Sequence, residues 1–229
     1  MNEAITPKIL SDLQHKNWNL RNASIKQLAK IKSADSIRLI IGFIKDRRPA
    51  SSWRKLLGEK YHQVGFSRRN AWDALREQAI SAEDIMPILA LGLHDPYYEV
   101  RASTWNTLGY ALRKNSDSCS PEILKKLKEN LLKEENFEIT MAALSMAELI
   151  LTPQELLDFS SQLVKFKHWR VRAAYLECLG RSVKMGHLSG EDVEKQLHAF
   201  NLRSEYFRPI FMLKEKGAQL EQMIKYGPS

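Results

Sequence analysis

The densest run of chemistry-bearing side chains lies between residues 45 and 69. Lys45, Arg47, Arg48, Arg54, Lys55, Lys60, Arg68 and Arg69 stand there against only Asp46 and Glu59. Trp53 and Tyr61 are interleaved with that charge. Cations with interspersed aromatics suit anion recognition. The anion can be a phosphate backbone with a stacked base or an acidic protein surface. Arg47, Arg48, Trp53, Arg54, Lys55, Lys60 and Arg68 are therefore the candidate binding residues. The plainer alternative is a solvated loop whose Trp53, Leu56 and Leu57 fold back onto the body of the protein. A cluster of like charges repels itself. Changing Arg47, Arg48, Arg54 and Lys55 to Ser is accordingly expected to leave stability unchanged or slightly raised.

Catalytic and metal-binding spacings are missing. The histidines are His15, His62, His94, His168, His187 and His198, and none sits in HExxH. Neither GxGxxG nor GxxxxGKS/T occurs. Cys119 and Cys178 are far apart, without the CxxC spacing of a zinc site or a disulfide framework. The sequence thus assigns no catalytic residue, no metal ligand and no cofactor. With two cysteines, no run of about 18 apolar residues and no basic n-region before an apolar stretch at the start, a cytoplasmic, non-membrane protein is expected. The net charge of +8 is lopsided. Residues 1–115 hold 19 Lys and Arg against 11 Asp and Glu, whereas residues 116–229 hold 16 of each.

The elements that position these residues read as helices throughout. Thr6-Pro7, Ser120-Pro121 and Thr152-Pro153 each put a capping hydroxyl before a proline at the first helical position. Ser81–Asp84 and Ser189–Asp192 have the spacing of capping boxes. Gly186 and Gly217 follow apolar-periodic stretches and read as helix stops. The spacing predicts first helices near 6–16, 35–45, 82–93, 121–133, 153–165 and 190–199. Second helices are predicted near 18–31, 67–80, 97–114, 137–151, 169–185 and 205–216, with a short last helix near 218–226.

One pattern recurs: a turn residue, an aromatic, an aliphatic, Arg, then a small residue. It is clearest in Asn17-Trp18-Asn19-Leu20-Arg21-Asn22-Ala23, Tyr98-Glu99-Val100-Arg101-Ala102 and His168-Trp169-Arg170-Val171-Arg172-Ala173. Weaker copies surround Arg69, Thr140 and Arg208. The interval from Arg21 to Arg69 exceeds the others by roughly 12 residues, which places a basic insertion near 45–66 in the second copy. Insertions in repeat proteins go to loops on one face, often the binding face.

This pattern resembles the HEAT and armadillo helical repeats. The resemblance implies an all-α fold, an α-α superhelix of about six two-helix repeats forming one solenoid domain over 1–229. It also implies an acid ladder: a cation in the first turn of a helix opposes the helix dipole, and such families offset it with acids in neighbouring turns. Asp95, Glu99, Glu134, Glu135 and Glu138 can serve the later arginines. The turns of the first two copies offer no acid, so Arg21 and Arg69 are expected to be unpaired, and both join the candidate binding residues. Trp18, Phe66, Tyr98, Phe137 and Trp169 are expected to pack under the preceding helix, with Trp18 or Trp169 worth about 3–5 kcal/mol.

Fold does not fix function. The expected role is a non-catalytic scaffold that holds an acidic protein or peptide partner, with oligomeric state open. The alternative is a nucleic-acid-binding solenoid resembling the alkylpurine DNA glycosylases, which use tryptophans and a carboxylate on a concave face. Trp72 and Asp73, being adjacent on a helix, point apart and do not make such a pair.

Overall fold

The computed structural model describes residues 4–48, 62–114, 120–163, 168–199 and 210–226, and only the backbone of 62–64, 197–199 and 210–214. The described residues contain twelve α-helices and no strand. They form two compact units, Met1–Cys119 and Ser120–Ser229.

The first unit holds α1 (Pro7–Gln14), α2 (Trp18–Lys30), α3 (Ala34–Ile44), α4 (His62–Glu77), α5 (Ala82–Leu93) and α6 (Tyr98–Lys114). Helices α2, α4 and α6 pack side by side, and each has its predecessor against it: α1 on α2, α3 on α4, α5 on α6. The core between them is filled by Ile25, Leu28, Ile40, Ile44, Trp72, Leu75, Ile85, Trp105 and Leu108, all essentially closed to solvent. Gly92 shows how tight that packing is. A Cβ there would lie 2.2 Å from Thr104 Oγ1 and 2.6 Å from the Trp72 ring.

The second unit holds α7 (Pro121–Lys133), α8 (Phe137–Leu144), α9 (Pro153–Gln162), α10 (Trp169–Lys184), α11 (Gly190–Ala199) and α12 (Ile210–Tyr226). Here α10 is central, touching α8, α9 and α12. Val171, Tyr175, Leu176, Cys178 and Leu179 form its buried face.

Local chemistry explains most boundaries. Thr6, Ser120 and Thr152 accept from the backbone N–H three residues on, and Glu155 returns the bond to Thr152 N to complete a capping box. Ser81 and Ser189 cap through Asp84 and Asp192 as their spacing predicts. The turn residue of the recurring pattern is itself a cap: Asn17, Asn136 and His168 each accept from an N–H of the helix they precede. Gly186, at φ +72°, ends α10 with His187 N donating to Ser182 O and Gly186 N to Val183 O, the paired bonds of a left-handed helix stop.

Three boundaries differ from expectation. Helix α4, expected from residue 67 after an insertion reaching 66, already begins at His62. Gly217 stops nothing, and α12 runs through it to Tyr226. The helix expected over 137–151 ends at Leu144 and is followed by a single 3-10 turn, Ala147–Leu149. Side chains compete there for helical carbonyls. Ser145 Oγ donates to Ala142 O at 2.6 Å, and Arg181 Nη2 donates to Leu144 O at 2.7 Å. The chain turns so that Glu148 faces Arg181.

Candidate functional site

Two of the helix-start arginines, Arg21 and Arg101, solve the dipole problem with carbonyls. Arg21 Nη1 reaches back to His15 O at 2.8 Å and Lys16 O at 3.0 Å. Arg101 Nη1 does the same to Asp95 O, also six residues back, at 2.8 Å. These acceptors follow the last turn of the preceding helix, where carbonyls lack intrahelical partners and the dipole is negative. Each arginine thus binds one helix end to the start of the next.

Acids complete the arrangement, and one of them corrects the expectation for Arg21. The side chain of Arg21 is buried and its Nε lies 3.8 Å from Asp46 Oδ2. Asp46 directly follows the cap of α3, so it is the turn acid of the second helix pair. The insertion separates it from α4 and hides it from a search confined to the residues just before each arginine. The register of that pair also shifts by one. Arg68, not Arg69, is the inward arginine, and its guanidinium forks onto Asp95 at 2.6 and 2.8 Å while Nη1 donates to Asp46 O at 3.2 Å. Arg69 lies over the Phe66 ring, 4.7 Å from its centroid, and donates to Asn70 Oδ1.

Arg47 and Arg48 extend this network outward. Arg48 donates to Asp46 through its backbone N, Nε and Nη2, each at 2.9 Å. Its Nη2 and Nη1 also reach Leu13 O and Gln14 Oε1 at 3.3 Å, tying the end of α1 to the end of α3. Arg47 Nη2 stands 3.6 Å from Asp95 Oδ2. Burial pushes the Asp46 carboxyl up, but the Arg48 hydrogen bonds and the charges of Arg48 and Arg21 outweigh it and hold the group below its ordinary value. Arg21 is lowered by burial, partly offset by Asp46. Arg48 is raised, chiefly by its bond to Asp46. The cluster is therefore not simply self-repelling, and replacing Arg48 by Ser strips a buried carboxylate of its main partner.

Both outer arginines keep one side in water, Arg47 at 51% exposure and Arg48 at 41%. They close one end of a groove of about 650 Å³ between the last turn of α1 and the face of α3. Leu39 gives it a half-buried apolar floor backed by the buried Leu13 and by Phe43, over whose ring Arg48 lies at 5.6 Å, and Arg38, Lys45, Arg47 and Arg48 give it a cationic rim. Arg38 and Lys45 were not among the sequence candidates. Their signal was present, since positions seven apart on a helix share a face. Of the sequence candidates, Arg47 and Arg48 line the groove, whereas Arg21 and Arg68 are buried behind it. Trp53, Arg54, Lys55 and Lys60 lie outside the described residues.

The aromatic row differs from expectation too. Trp18, Phe66, Phe137 and Trp169 are only half-buried and Tyr98 is 37% exposed. Their faces take polar neighbours. Phe137 stacks on His168 at 4.2 Å with rings 8° apart, and Arg170 lies 5.6 Å over Trp169. Among the described residues the buried tryptophans are Trp72 and Trp105. Asp73, next to Trp72, accepts from Ser103 Oγ at 2.6 Å and pairs with Arg76, so enclosed ring and engaged acid offer no base-stacking and catalytic couple.

In the second unit Glu148 is buried beneath Arg181, which donates to its two oxygens at 2.7 and 3.0 Å, and Cys178 Sγ lies 3.3 Å away. Burial raises the Glu148 carboxyl, and Arg181 overcomes it to leave the group below its ordinary value. Burial and the Glu148 charge push the Cys178 thiol up, so it is no nucleophile. Among the described residues no cluster of three metal-ligating side chains occurs, and no helix is long and apolar enough to cross a membrane. No protein family matches the chain, and no curated protein or solved structure matches it.

Proposed function

We propose that the chain is a HEAT-like helical-repeat protein that works by binding, with the α1–α3 groove of the first unit holding an acidic segment of a protein or peptide. The repeat reading is supported by helix pairs whose second members lie side by side and by the start arginines Arg21 and Arg101, which clasp the preceding turn. The binding reading rests on one observation above all. Four cations rim the groove, and its lining acid, Asp46, is already saturated from within by Arg48 and Arg21. Six cations there (Arg21, Arg38, Lys45, Arg47, Arg48 and Arg68) share three acids (Asp35, Asp46 and Asp95), so an incoming carboxylate meets a net positive charge. The half-buried Leu39 among the cations favours a peptide over duplex nucleic acid, because a duplex keeps its bases stacked inside and has no apolar side chain to place there.

Fluorescence anisotropy with a synthetic Glu-rich peptide and a short DNA duplex, at rising salt, tests this. The peptide should bind, and the duplex should not displace it near physiological salt. Tight duplex binding with a steep salt slope and no peptide binding would replace this reading with a nucleic-acid one.

A further inference from the structure

Gly42 stands in the middle of the groove floor without a structural reason to be glycine. A glycine in a helix is destabilising relative to alanine, so an interior helical glycine needs a cause. Gly92 and Gly65 have one, since a Cβ at either would strike Trp72 and Thr104 or the Tyr97 ring. Gly186 has another in its positive φ. Gly42 has neither. It is exposed, its φ is ordinary, and a Cβ built there meets nothing within 4 Å. What the missing side chain leaves is open space beside the half-buried Leu39 and among the cations, next to Phe43, whose ring is buried under Arg48.

We infer that the segment held in the groove is amphipathic: a large apolar side chain, flanked by carboxylates, seats over Gly42 while the carboxylates meet Arg38, Lys45, Arg47 and Arg48. This rests on the acidic-partner reading above and narrows it. Charge alone would attract any acidic chain. The open floor selects among them.

The experiment uses the full chain and two synthetic peptides of equal charge, five or six carboxylates around one central residue, either Phe or Ser. The Phe peptide should bind about tenfold more tightly, as burial of one large apolar side chain allows. Gly42→Leu, which fills the space and favours the helix, should erase that advantage and leave the Ser peptide's affinity unchanged. Gly42→Ala, with a smaller intrusion, should reduce it partway and guards against a folding failure of the larger variant. Equal affinities of the two peptides for the parent protein would overturn the inference while leaving an acidic-partner groove in place. An advantage that survives Gly42→Leu would also overturn it. Failure of both peptides to bind the parent would overturn the underlying reading as well.

Discussion

Arg68 and Asp95 form a closed fork, with Nε to Oδ2 at 2.6 Å and Nη2 to Oδ1 at 2.8 Å and both side chains buried. The fork joins the first turns of α4 to the turn between α5 and α6, and Arg101 holds the backbone carbonyl of the same aspartate. Removing one member leaves the other charged and buried. Arg68→Ala should therefore cost about 3–5 kcal/mol, whereas Arg69→Ala, at a half-exposed stacking position, should cost less than about 1 kcal/mol. Urea unfolding midpoints of the two variants check the register. Equal losses would mean that Arg69 shares the inward role.

The buried tryptophans and the row tryptophans should separate in the same assay. Trp72→Ala and Trp105→Ala should each cost about 3–5 kcal/mol, the range for a large core side chain. Trp18→Ala and Trp169→Ala should fall well below that, because water already reaches both rings. Comparable losses at all four positions would contradict the half-buried placement.

Ala79 ends α4 in the left-handed region, at φ 58°, where Ile80 N donates to Leu75 O and Ala79 N to Arg76 O. A Cβ is strained there by roughly 1–2 kcal/mol. Ala79→Gly relieves that strain and loses part of the gain to greater freedom of the unfolded chain. A net stabilisation of about 0.5–1 kcal/mol is expected, read as a higher thermal midpoint. A lower midpoint would show that the strain is absent.

Asp46 and Glu148 are both held below their ordinary values of 3.8 and 4.5. A carboxyl depressed in the folded state contributes stability that is present above its unfolded value and lost as pH falls through the folded one. Both units should therefore weaken below about pH 4–4.5. Asp46→Asn and Glu148→Gln should each lower stability at neutral pH and flatten the acid dependence. Urea midpoints at neutral and acid pH measure this. A variant as acid-sensitive as the parent would remove that carboxyl from the account.

What could be read from the sequence follows the range of the interactions. Caps, proline starts and the Gly186 stop act over three to five residues, and the sequence shows them directly. Asp46 illustrates the opposite case. It lies 25 residues from Arg21 and 22 from Arg68, and only packing makes the three neighbours. The choice of Arg68 over Arg69 was illegible for a related reason, because adjacent positions on one helix are told apart by which face the neighbouring helix covers. The groove was half visible. Lys45, Arg47 and Arg48 stood out by their density, whereas Arg38 looked like ordinary surface charge until α1 was placed across from it.

The central claim is that the cationic rim of the α1–α3 groove holds an acidic partner. Arg38 and Lys45 test it most directly, because both are exposed and the Arg38–Asp35 pair lies on the surface, with side chains 81% and 71% exposed. Their reversal to Glu should hardly change stability. Fluorescence anisotropy of the carboxylate-flanked Phe peptide with Arg38→Glu/Lys45→Glu should show affinity reduced at least about tenfold and a shallower salt dependence, with an unchanged unfolding midpoint. Parent-like affinity of this folded double variant would contradict the assignment of the groove.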